Sequence, residues 1–186
     1  MTLVTEEDNI YNENVYNEIV ERDKLIYDII GNRYNLEWER SKSLEGKAIG
    51  IITFVGIILS LQGGIGAILI NDAPKIGTLA IIINLVFIFS VFFLTLSIIS
   101  GLWAFYVKTW IYVPKASFII KKCGDRSRSE ILCTMAAILE KSIFYNRDNN
   151  NKKKNLIVQG FIFLFIGVIL NLVFIIGLIF IMNHWM

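Results

Sequence analysis

The chain has 186 residues, of which 55% are apolar and 18% charged, and its formal net charge is +2. A mean hydropathy of +0.58 is too high for an ordinary soluble domain of this length, and 186 residues cannot cover three all-apolar helices with protein. The composition therefore excludes a soluble globular fold. It predicts an all-α integral membrane protein with three transmembrane helices, a long N-terminal cytoplasmic helical stalk and a helical cytoplasmic segment between the second and third spans.

Residues 1–47 form the expected stalk. Thr5 to Gly46 contains no proline and reads as one or two helices. Val15, Ile19, Ile26 and Ile30 recur at helical spacing beside a second stripe of Tyr16, Val20, Tyr27, Tyr34 and Trp38. Gly31 could mark a break, because glycine costs about 1 kcal/mol in a helix interior. The start is acidic, with Glu6, Glu7, Asp8, Glu13 and Glu18, and the end is basic, so the stalk is expected to stand upright on an anionic inner leaflet. It should enter the first span with little or no break at Gly46.

The transmembrane hairpin is assigned to residues 48–107, with spans at 48–70 and 78–107. The first run carries no Asp, Glu, Lys or Arg and would measure about 34 Å as a helix, enough for a hydrocarbon core of ~30 Å. The second would reach roughly 45 Å and must tilt or project, with Trp103 and Tyr106 suited to an interface.

Residues 108–155 form a basic segment. Trp110, Tyr112 and Pro114 suit the inner interface. Ser127-Arg128-Ser129-Glu130 has the spacing of a capping box, which predicts an amphipathic helix at about 128–146. Its apolar face, with Ile131, Met135, Leu139 and Ile143, could lie on the membrane or pack on the stalk; we take packing on the stalk, because the stalk's stripes also need a partner. Asn146 to Asn155 reads as a loop or as a solvated extension of the third span. That span is assigned to 156–182 and leaves a tail at 183–186.

Lys and Arg flank the first span on its N-terminal side and crowd the segment between spans two and three, whereas the 71–77 hairpin has only Lys75 and the C-terminal tail has none. The positive-inside rule then predicts a multi-pass protein of the plasma membrane with its N-terminus cytoplasmic and its C-terminus outside. No cleavable signal peptide is expected, because the first apolar run starts near residue 48 after a charged segment. Cys123 and Cys133 fall in the inside loop, where the cytosol keeps thiols reduced.

Few residues within the spans carry polarity. Gln62, Asn84 and Asn171 are amides in hydrocarbon, expected either to hydrogen-bond between helices or to line a hydrated path or oligomer axis. Ser97 with Gly101, and Gly160 with Gly167, are small residues that let helices approach within one chain or between chains. No phosphate loop, serine elbow or paired histidines are found, so no enzyme, cofactor, metal site or nucleic-acid partner is expected.

Glu45-Gly46-Lys47-Ala48, following Trp38 to Leu44 and running into the apolar Ile49 to Leu61, resembles the approach to the first span in small prokaryotic membrane effectors of nucleotide-signalled antiphage systems, the Pycsar-type and SLATT-type transmembrane proteins. Glu45 stands where an Asp is more usual. The polar run Asn146 to Lys153 is similar to that before the last span of many three-span prokaryotic proteins. The resemblance implies a membrane effector that oligomerises and perturbs or permeabilises the bilayer when a cytosolic signal, a cyclic nucleotide or a protein partner, is sensed. An anionic nucleotide would seek Lys121, Lys122, Arg126, Arg128, Arg147, Lys152, Lys153 and Lys154, although the plainer role of these residues, holding the loop inside, accounts for them without a ligand. The alternative function is a non-catalytic membrane subunit or scaffold that docks a cytosolic partner.

Overall fold

A computed structural model describes the backbone of residues 6–72, 77–107, 110–111 and 126–185, and the side chains of 13–64, 81–107, 110–111 and 126–180. Among these residues every regular element is a helix. Helix α1 spans Glu6–Asp72, α2 Gly77–Tyr106 and α3 Arg128–Trp185. With no proline before Pro74, α1 continues for 67 residues through both Gly31 and Gly46. The cost of two glycines is small against the ladder of bonds on either side.

Helix α3 starts where the capping box predicts it. Ser127 Oγ accepts from the Glu130 amide at 3.3 Å, and the Ser127 carbonyl accepts from the Ile131 amide at 3.1 Å. The helix does not stop at residue 146, however. The run 146–155 is helical, and α3 is one element of 58 residues.

All three helices are long and apolar enough to cross a membrane. Only 22%, 17% and 11% of their most apolar windows is buried within the protein, so most of that surface faces outward, as lipid-facing helices require. Phe92, Phe165 and Ile176 are among the large apolar side chains left exposed.

The chain divides into two compact units, residues 1–41 with 109–150, and residues 42–108 with 151–186. In the first, Val20 and Asp23 on α1 and Met135, Ala136, Leu139 and Ser142 on α3 are buried, so the amphipathic helix packs on the stalk. Of the two α1 stripes, the one carrying Val20 turns inward, whereas Val15, Ile19 and Ile26 stay exposed. In the second unit, Leu44, Ala48, Ile51, Val55, Leu94, Ala104 and Ile157 form the core.

Candidate functional site

Polar contacts dominate the interior of the first unit. Asp23 is buried and accepts hydrogen bonds from the Ser129 hydroxyl and from Arg22, whose Nη2 lies 3.0 Å away. These donors, Ser129 first, hold its carboxyl below the ordinary value of 3.8. The neighbouring Cys133 is a free, exposed thiol, pushed up by local desolvation and by the negative charge of Asp23. Cys123 lies outside the described residues.

Further along α1, the half-buried Trp110 packs against two aromatic side chains. Its ring meets Trp38 and Tyr34 edge-on, at centroid distances of 5.0 and 5.9 Å, and its Nε1 donates to the Tyr34 hydroxyl at 2.9 Å. Tyr34 donates in turn to the Ile111 carbonyl at 3.3 Å. The fully buried Asn146 completes this dock: its Oδ1 accepts from the Ile111 amide at 3.0 Å and its Nδ2 donates to the Ile111 carbonyl at 3.2 Å. One side-chain amide thus satisfies both backbone groups of a residue outside any helix.

One turn on, Asn150 Nδ2 donates to the carbonyl of Glu37 at 3.0 Å and to its Oε2 at 2.8 Å. Asn146, Asn149 and Asn150 are all buried on one face of α3. The polar run is therefore the helical extension of the third span rather than a loop, with one face forming an interior seam and the other exposed. Composition hides this, but the spacing of three and four residues was a signal that could have found it. An open cleft of about 420 Å³ lies beside the seam, lined by Ile30, Arg33, Leu36, Glu37, Glu140, Ile143 and Arg147.

The cations proposed to receive an anion are not gathered at one place. Arg126 and Arg128 are exposed at the start of α3, and Arg147 lines the cleft, which along a helix is about 28 Å from Arg128. Lys152 and Lys154 are exposed. In the second unit Lys153 is buried and donates to Glu45 Oε1 at 2.7 Å, with side-chain exposures of 6% and 35%. Lys121 and Lys122 lie outside the described residues.

In the second unit the amides and small residues come together. Gln62 Nε2 donates to Ser90 Oγ at 3.1 Å, and Ser90 donates to the Gly167 carbonyl at 2.9 Å. A carbonyl can only accept, so Ser90 must donate to it and accept from Gln62; the amide orientation is fixed. Among the described residues, no donor reaches the buried Gln62 Oε1 or Asn171 Oδ1. The deep amides were expected to seek one another, yet Gln62 pairs with a serine, whose short side chain lets the helices stay close. Asn84 is half-buried and makes no hydrogen bond among the described residues.

Seven residues from Ser90, Ser97 donates to the Gly160 carbonyl at 2.8 Å. The glycines make these approaches possible. A Cβ on Gly167 would fall 2.8 Å from Leu94 Cγ, one on Gly160 3.4 Å from Ile51 Cδ1, and one on Gly101 3.1 Å from Ile52 Cγ1. By contrast, Gly46, Gly50, Gly56, Gly63 and Gly64 meet nothing within 4 Å. Ser97, Gly101, Gly160 and Gly167 thus pack within one chain. Among the described residues no group of three His, Cys, Asp or Glu could hold a metal ion. The arrangement can pack helices and hold polar groups in a low-dielectric interior.

Comparison with known proteins gives no match: no family model fits the chain, and no curated protein or solved structure is detectably similar to it. The class defined by the fold is a multi-pass membrane protein with three candidate spans.

Proposed function

We propose that the protein is a non-catalytic membrane effector of a prokaryotic defence or signalling system, which oligomerises and permeabilises the plasma membrane when its cytoplasmic unit senses a signal. One observation carries this reading. Helices α1 and α3 are each one continuous element that runs from a polar-seamed segment into an apolar span, with no linker between the part that would sense and the part that would span. The buried oxygens of Gln62 and Asn171, which meet no donor among the described residues, support it, since water admitted on opening would supply one.

Residues 1–47 and 108–155 are then cytoplasmic, the C-terminus is outside, and the signal is a small anion or a protein partner. Induced expression in a bacterial host, read by a potential-sensitive dye and by leakage of a small fluorophore, tests the reading. Depolarisation that precedes loss of growth is expected. An intact potential at high expression under every trigger tried would reject it. Recovery from mild detergent of one stoichiometric soluble protein, with no homo-oligomer, would favour a scaffold instead.

A further inference from the structure

The cleft beside the asparagine seam lies within the first unit, and each of its two walls carries one arginine. In this unit α1 and α3 run in the same direction, since Ser129 meets Asp23 and, further along both helices, Asn150 meets Glu37. The contact of Asn150 with the Glu37 carbonyl sets the level. Arg33 precedes Glu37 by four residues and Arg147 precedes Asn150 by three, about 6 and 4.5 Å along their helices, so the two arginines stand at one level on opposite walls.

Both arginines are exposed, and neither makes an ion pair or hydrogen bond among the described residues. The acids of the cleft leave them unneutralised. Glu37 gives its carboxylate to Asn150 and Arg40, and Glu140 lies seven residues before Arg147, about 10.5 Å along α3. Two like charges facing each other across a groove repel, and an anion between them replaces that repulsion with charge-assisted hydrogen bonds on both sides. The planar fork of a guanidinium suits the oxygens of a carboxylate or phosphate. Between Glu140 and the arginines, the half-buried Ile30 and Ile143 line the same cleft. Its order is therefore cationic pair, apolar middle, carboxylate.

We propose that this cleft binds a small organic anion. Its phosphate or carboxylate head is held between Arg33 and Arg147, its apolar body rests on Ile30 and Ile143, and a hydrogen-bond donor about 10 Å from the head reaches Glu140. A volume of about 420 Å³ is that of a small-molecule site. The proposal rests on the reading that this unit senses a signal, and it names the chemistry of that signal. Arg147 is among the cations expected to receive an anion; Arg33, from the other helix, completes the pair.

The test uses the full chain in lipid nanodiscs, with phenyl phosphate as the probe and binding read by calorimetry. Saturable binding is expected, tighter than that of inorganic phosphate, which lacks the apolar body. Arg33→Gln and Arg147→Gln should each weaken it about tenfold, the usual effect of losing one hydrogen bond to a charged group. Lys24→Gln removes an exposed cation that does not line the cleft and should change it by less than about twofold. The probe should also raise the unfolding midpoint of the unsubstituted chain and leave that of the double arginine variant unmoved. Discs of phosphatidylcholine, with and without phosphatidic acid, are compared at a salt concentration that screens the disc surface: equal probe affinity assigns the head to a dissolved molecule, and weaker binding beside phosphatidic acid assigns it to a lipid. No saturable binding of phenyl phosphate or benzoate, or equal affinity in the two arginine variants and Lys24→Gln, overturns the proposal. Depolarised cells without probe binding reject the cleft alone. Probe binding as expected, in a protein that never depolarises cells, rejects the effector reading and leaves the site standing.

Discussion

Replacing Lys153 with methionine removes the ion pair on Glu45. The ammonium is 6% exposed and lies 2.7 Å from the carboxylate, a separation at which two unit charges attract by about 6 kcal/mol at an effective dielectric constant of ~20. Most of that gross attraction is cancelled by the cost of taking both charges out of water. Methionine keeps the stem's packing but leaves Glu45 unpaired, and because Glu45 is 35% exposed it can rehydrate in part. The expected loss is therefore about 2 kcal/mol, below the 3–5 kcal/mol typical of fully buried pairs. Glu45→Leu together with Lys153→Met removes both charges and should recover at least half of it. The assay is a double-mutant cycle on purified protein in micelles, with unfolding followed by circular dichroism. A loss under about 0.5 kcal/mol for Lys153→Met, or a coupling energy of zero, would refute the claim that this pair holds α1 to α3.

Gly167→Ala should destabilise by about 1 kcal/mol, overpacking against Leu94 outweighing the gain in helix propensity, whereas Gly56→Ala, with nothing within 4 Å, should be neutral or stabilising in the same unfolding assay. Ser90→Ala orphans the Gln62 amide and should cost about 1 kcal/mol; Gln62→Leu, which removes the donor-less oxygen as well, should cost less, and the reverse order would contradict the fixed donor direction. Asp23 has its carboxyl lowered from 3.8, so its contribution to stability is complete above that pH and is lost as pH falls through the depressed folded value. Ser129→Ala should therefore destabilise near neutrality, by an amount that shrinks in acid unfolding titrations below about pH 4; a difference constant to lower pH would dissociate Ser129 from Asp23.

The spans were legible because an uncharged apolar run of 20 or more residues has few other homes. The start of α3 was legible because Ser127 and Glu130 act locally. What escaped depends on partners distant in sequence. Composition makes the asparagine run a loop or a solvated helical extension, and the extension is what forms; the burial of its one face is not legible there, because Asn146 is held by both backbone groups of the non-helical Ile111. Both stripes of α1 were visible, but only packing against α3 decides that Val20 turns inward and Ile26 does not. Ser90 drew no attention, since an isolated serine in a span commonly bonds its own helix, as Thr95 does with the Val91 carbonyl.

The paired contacts Ser97 to Gly160 and Ser90 to Gly167 repeat at the same seven-residue step on antiparallel helices. Such a repeat is a ruler with two identical marks: sliding α3 along α2 by one heptad, about 10.5 Å, would bring one serine back onto a glycine. The hydroxyls alone therefore fix rotation better than height. Height must come from the helix ends, where a slide one way would drag Lys152, Lys153 and Lys154 into the apolar layer. The serines thus fix the phase of α3 against α2, and the lysines penalise a slide in the one direction that would bring them into an apolar layer.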